Sequence, residues 1–225
     1  WKRLSTPSAY LLTWFTKALF FLIGPIQFIK SVLPKSKNAM VTRDDVAAMA
    51  DLGETEGALE EAEETIIHNL LELRDVIIDD EMTPRTVVSA FEMNQTIAEV
   101  LKENTILRFS RIPVYEENID KIRGLVIRSE ILMAASRDEW EVQLKDIMKP
   151  ILKLDKGSTV DQALDVFLSN RQQFAVVRDE FGGTSGILTM EDVMEKLLGK
   201  QIVDELDPVE DMRELAREQA AQAEE

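Results

Sequence analysis

The chain repeats itself, and no other feature restricts its fold as much. Residues 79 to 91, "DDEMTPRTVVSAF", answer residues 145 to 157, "KDIMKPILKLDKG", superposing Met82 and Pro84 on Met148 and Pro150. Further on, "NQTIAEVLKEN" answers "GSTVDQALDVFLSN", and "RIPVYEENIDKIRGLVIRSEIL" answers "QFAVVRDEFGGTSGILTMEDVM". Aligning the last pair matches Val114 with Val176, Gly124 with Gly186 and Glu130 with Asp192, each 62 apart. Self-similarity of this kind marks a supersecondary unit used twice.

Each copy reads as strand, helix, strand, turn, strand, helix. The helices follow polar caps and show apolar residues at helical spacing. The strands are the short β-branched runs "IPVY", "GLVI", "FAVV" and "GIL", bounded by turn residues. The expected class is therefore α+β, with boundaries at 76–136 for the first copy and 137–203 for the second.

The rest of the chain differs in kind. "YLLTWFTKALFFLIGPIQFIKSVLP", residues 10 to 34, carries only Lys17 and Lys30 as charges. About 20 such residues cross a bilayer's hydrocarbon core, so the length suffices to span. Lys17 near the centre and Gly24-Pro25 equally suit a kinked helix lying in the interface with snorkelling lysines. Lys2, Arg3, Lys30, Lys35 and Lys37, with no acid before Asp44, favour the cytoplasmic side of a membrane. Because the chain opens on Trp1 with no leader pattern, we expect a piece of a longer protein whose residues 1–35 end a membrane domain.

Residues 36–75 read as two helices. Thr42 caps the first, Asp45 completes a capping box, and Gly53 is expected to separate the two. Glu60, Glu61, Glu63 and Glu64 read as a solvated face, or alternatively as a surface for divalent cations or an electrostatic switch. His68 is the only histidine and has no second nitrogen or sulfur ligand near it in sequence, so it is read as a packing or surface residue. The tail 204–225, "VEDMRELAREQAAQAEE" from residue 209, is an acidic helix-former with few apolar residues.

With 42 acidic against 26 basic residues the formal charge is −16, a potential that repels polyanions and excludes nucleic acid as a partner. Cysteine is absent, which removes disulfides and thiolate metal sites. No nucleophile with a neighbouring base and no Walker-type glycine-lysine run stands out, so no catalytic residue is assigned and an enzyme is not expected.

Thr189-Met190-Glu191-Asp192 has capping-box spacing, so on one reading these residues only start a helix. On the other, the same helix N-terminus receives a phosphate, Thr189 hydrogen-bonds a phosphate or ribose oxygen, and Asp192 accepts from ribose hydroxyls.

A unit of about 60 residues that opens on Met-x-Pro, continues with a Pro-Val or Ala-Val strand and ends on Gly-Ile-Leu-Thr-x-x-Asp resembles the CBS domain. Two in tandem resemble the CBS pair, or Bateman module. "MTPR", "SRIPVYEE" and "DEFGGTSGILTMEDVMEKLLGKQIVDE" are more narrowly similar to the CorB/CorC and CNNM family of magnesium transporters, once called hemolysin-like. That resemblance implies a cytosolic, homodimeric CBS pair that binds ATP with Mg2+. It further implies coupling to a membrane domain that moves Mg2+, contact of residues 10–34 with the bilayer, and an acidic helical bundle between the two.

The resemblance also supplies the opposite wall of the site. An adenine would stack near Met82, Thr83, Val87, Ile112 and Pro113, with Arg111 facing phosphates and Arg85 as a second candidate. A surface ion pair is the plainer role for either arginine. The first copy has Ile127 and Glu130 where the second has Thr189 and Asp192, so one nucleotide site is expected rather than two. ATP brings about four negative charges into an acidic protein, which favours MgATP, the metal being held by the phosphates and not by protein side chains. A scaffold that only dimerises and docks a partner is the alternative.

Overall fold

The computed structural model describes residues 14–15, 41–104, 106–202 and 216. The expected membrane segment 10–34, beyond Trp14 and Phe15, and the expected acidic tail, beyond Ala216, lie outside the described residues. Among the described residues no helix is long and apolar enough to cross a membrane. The chain divides into two compact units, 1–42 and 43–225. In the first, Trp14 and Phe15 are helical and exposed.

The second unit opens with a helical hairpin, α1 (Arg43–Thr55) and α2 (Glu61–Glu72). Two helices were expected, but the break is not at Gly53, which lies inside α1. A Cβ there would stand 3.0 Å from the Leu59 side chain, so the missing side chain makes room for the returning chain. Gly57, at φ +76°, makes the reversal, because that left-handed conformation costs a glycine little.

The first repeat follows as α3 (Ile78–Glu81), β1 (Thr83–Pro84), β2 (Phe91–Glu92), α4 (Ile97–Glu103), β3 (Arg111–Tyr115), a 3-10 turn (Ile119–Lys121), β4 (Ile122–Ile127) and α5 (Arg128–Ser136). The second comprises α6 (Leu144–Ile147), β5 (Leu152–Asp155), α7 (Val160–Asn170), β6 (Phe174–Arg178), β7 (Thr184–Thr189) and α8 (Met190–Leu198). The α+β class is as expected. Caps are local and form as read: the Thr96 hydroxyl accepts from the Glu99 amide while Glu99 accepts from the Thr96 amide at 2.8 Å.

The sheets exchange their edges. One has the order β2-β3-β4; the other has the order β1-β7-β6-β5, so the Met-x-Pro strand of the first repeat closes the sheet of the second. The exchange is reciprocal, since Lys149 bridges Leu125 of β4 through hydrogen bonds of 2.8 and 3.0 Å. Cores follow the same rule. Ile78 and Met82 pack with Val160, Phe167, Val177, Leu188 and Val193, whereas Leu144 packs with Ile97, Val100, Ile112, Val126 and Ile131.

Two glycines permit this exchange. A Cβ on Gly186 would lie 2.3 Å from the Thr83 carbonyl oxygen, and one on Gly124 would lie 2.6 Å from that of Lys149. A third cluster, Ile122, Leu125, Ile151, Phe174 and Val176, seals the seam where the two sheets face each other.

One part of the repeat alignment shifts. Gly124 and Gly186 are equivalent, but Val114 pairs with Gly124 as Val177, not Val176, pairs with Gly186. The offset in this strand is therefore 63, and Arg111 corresponds to Phe174, each opposite the last residue of its neighbouring strand, Ile127 or Thr189. A slip of one residue reverses which face a side chain occupies, so this determines what lies in the seam.

Candidate nucleotide-binding site

The site is built at one end of the seam, where β7 runs into α8. Thr189 is the N-cap of α8 and Asp192 its third residue. The Thr189 amide and hydroxyl donate to Asp192 Oδ2 at 2.6 and 2.8 Å, and the hydroxyl accepts from the Asp192 amide at 3.2 Å. Phe174 pairs with Thr189, and the Met190 amide donates to the Gln173 carbonyl at 3.0 Å, so the start of α8 is tied to the start of β6.

Strand alternation then decides which candidates look into the seam. Thr83 is opposite Ile187, and Thr189 lies two residues further along the same face, about 7 Å away. Across the seam, Arg111 and Pro113 share the face of their partners Ile127 and Leu125. The exposed Arg111 reaches over: its Nη2 donates to Gln173 Oε1 at 3.1 Å, an amide rather than a carboxylate. Thr83, Arg111, Thr189 and Asp192 thus gather around the start of α8, and Pro113 lies two residues further along β3 on the same face as Arg111.

The other candidates fall elsewhere. Ile112, only 2% exposed, packs into the helical core of the first repeat, on the opposite face of β3 from Arg111 and Pro113. On that side it borders a hollow of about 150 Å³, shared with Phe91, Leu107 and Phe109. Arg85 sits opposite Ser185, at the far end of β7, and pairs with Asp120 at 2.5 Å. Val87, half-buried, follows in a turn in which its amide donates to the Pro84 carbonyl at 3.1 Å.

At the corresponding place in the first repeat, α5 begins after Ile127 with no side-chain cap. Glu130 pairs with Lys149, the counterpart of Thr83. An ammonium and a carboxylate therefore hold each other where the second repeat has two hydroxyls and a carboxylate. Sequence reading missed Lys149 and Gln173 because each meets a partner in the other repeat, Lys149 through the exchange and Gln173 across the seam, where no spacing rule reaches.

Gln172, one peptide bond before the Gln173 carbonyl that meets α8, has its side-chain oxygen buried without a partner.

Comparison with known proteins agrees with this architecture. Residues 144–199 match the family model of the CBS domain. The magnesium and cobalt efflux protein CorC of Salmonella typhimurium is 31% identical over 178 residues, 78% of this chain and 60% of that protein. The chain spans less than two thirds of the length of the curated relatives it matches. A solved CBS domain of a bacterial CNNM/CorC family Mg2+ transporter is 30% identical with a TM-score of 0.69, covering 73% of this chain and 100% of that one. Another, in complex with ATP, is 32% identical with a TM-score of 0.58, covering 61% and 98%. Matched at this identity along the whole of a solved relative, the chain belongs to the CNNM/CorC family and carries its tandem CBS region.

Proposed function

We propose that this chain is the MgATP-binding regulatory module of a Mg2+ transporter, acting on the cytoplasmic face of the cell membrane as a homodimer. The observation that carries the reading is the gathering of Thr83, Arg111 and Thr189 beside the first turn of α8. A related CBS domain in complex with ATP supports it.

In this reading each residue has one task. Thr189 presents its hydroxyl to the nucleotide at a helix N-terminus whose unpaired N–H groups favour anions. Asp192 turns from its own cap to accept ribose hydroxyls, since a carboxylate facing phosphate is repelled. Arg111 exchanges the Gln173 amide for a phosphate, a charge-assisted bond about twice as strong. Mg2+ lowers the charge of the bound phosphates, and no step of hydrolysis is assigned to any residue. Nucleotide binding favours one arrangement of the CBS dimer, and the α1–α2 hairpin passes that bias toward the membrane segment 10–34, to the extent that affinity differs between the arrangements.

Calorimetric titration with ATP, with and without Mg2+, tests the reading. Mg2+-dependent binding that is lost in folded Thr189→Ile and Asp192→Ala variants supports it. An absence of binding by the wild type leaves the Thr189–Asp192 pair as a helix cap in a dimerising scaffold.

A further inference from the structure

We propose that Asp51, Glu64 and His68 form a binding site for a late first-row transition cation such as Zn2+ or Co2+, fastening α1 to α2. The three side chains offer one ligand atom each, all within 4.8 Å of one another. His68 Nε2 lies 2.6 Å from Asp51 Oδ1 on α1 and 3.2 Å from Glu64 Oε1 one turn earlier on α2. Sequence spacing shows only the Glu64–His68 half; folding of the hairpin adds Asp51 from 17 residues away.

The grouping is more than a patch of acids, because an imidazole nitrogen is its centre. One Nε2 carries either one hydrogen or one lone pair, yet two carboxylates converge on it. With the nitrogen as acceptor, three donors of electron pairs face a common point, which suits a cation; a proton on that nitrogen answers the same two carboxylates, and the titration below separates the two. Ligand atoms about 2.0–2.2 Å from a metal stand roughly 3 Å apart, so the 3.2 Å separation is already suitable. The 2.6 Å separation needs a small outward move of Asp51, whose side chain is 61% exposed and free to make it.

The surroundings point the same way. Residues 44–73 contain no lysine or arginine, and Arg43, at the head of α1, pairs with Asp75. Nitrogen plus two carboxylates is a donor set suited to Zn2+, Co2+ or Ni2+. Mg2+ requires near-octahedral oxygen ligation and gains little here. Exposure of the cluster leaves water to complete the coordination.

The test is titration of the full chain, freed of affinity tag and stripped with chelator, with ZnCl2 by calorimetry and with CoCl2 by visible absorption. We expect one Zn2+ per chain, binding that persists in about 5 mM Mg2+, and a Co2+ spectrum of low coordination number. His68→Gln and Asp51→Asn should each weaken Zn2+ binding at least about tenfold, while Glu61→Gln leaves it unchanged. Asp51 is exposed, so Asp51→Asn decides the matter should His68→Gln fail to fold. Absence of saturable binding up to about 100 µM, or binding that His68→Gln and Asp51→Asn leave intact, overturns the proposal.

Discussion

Thr189 and Asp192 satisfy each other across one helical turn, the Thr189 amide and hydroxyl sharing Asp192 Oδ2 at 2.6 and 2.8 Å. The same pair thus serves the fold and the proposed ligand. Removal of a cap costs about 1 kcal/mol. Thr189→Ala should therefore lower Tm by about 2–4 °C in a chain of this size. Saturating MgATP, at about 100 times Kd, should raise the Tm of the wild type by an amount equivalent to about 2.7 kcal/mol. Differential scanning fluorimetry with and without MgATP separates the two effects: the variant keeps its fold and loses the ligand shift.

The two arginines should differ. Arg111 has an amide for a partner and stands at the start of α8; Arg85 is neutralised by Asp120 at the other end of β7. Arg111→Ala is expected to weaken MgATP binding about 10- to 100-fold, as loss of a hydrogen bond to a charged group does. Arg85→Ala should change it less than about threefold, consistent with a surface ion pair. Equal losses in calorimetry would place the phosphates elsewhere.

Glycine matters at the exchanged edges for contact rather than turning. Gly186→Ala puts a methyl 2.3 Å from the Thr83 carbonyl, which must separate β1 from β7. We expect a loss above about 2 kcal/mol, at the upper end of overpacking effects. Gly157 has open space around its Cβ position, so Gly157→Ala should be neutral or slightly stabilising. Urea denaturation of both variants compares them directly.

The first repeat can be asked for a second site. Ile127→Thr, Glu130→Asp and Lys149→Thr remove the Lys149–Glu130 pair and reproduce Thr189, Asp192 and Thr83, and Phe174→Arg adds the counterpart of Arg111. The stoichiometry of MgATP should rise from one toward two per chain. A value that stays at one in the folded fourfold variant would show that neither the ion pair nor Phe174 is what closes the site.

Glu99 gives a pH dependence of defined sign. Hydrogen bonds from the Thr96 amide, and secondarily from its hydroxyl, hold the Glu99 carboxyl below its ordinary range. The unfolded chain then takes up this proton first as pH falls. The contribution is complete above the unfolded value and is lost as pH falls through the lower folded value. The Tm difference between wild type and Glu99→Gln, positive at about pH 7, should shrink as pH falls through and below the ordinary glutamate range.

Sequence by itself determined what is local. The caps at Thr96 and Thr189 and the strands "IPVY" and "FAVV" follow from residues within a few positions of one another, whose hydrogen bonds and periodicity are set by the backbone, and the duplicated unit and its CBS resemblance follow from the order in which such local signals recur. The α1–α2 break was misplaced because two glycines lie close together and only the fold shows that Gly53 makes room for Leu59 while Gly57 turns. Tertiary structure decided everything that depends on pairing between distant segments: the exchange of β1 between repeats, the one-residue shift that makes Arg111 the counterpart of Phe174, the pairing of Lys149 with Glu130, and the meeting of Asp51 with His68. Pairing of strands and helices far apart in the chain is chosen by the global minimum of packing and register. A shift of one residue, invisible to a pattern of apolar types, moves a side chain from the seam to the core.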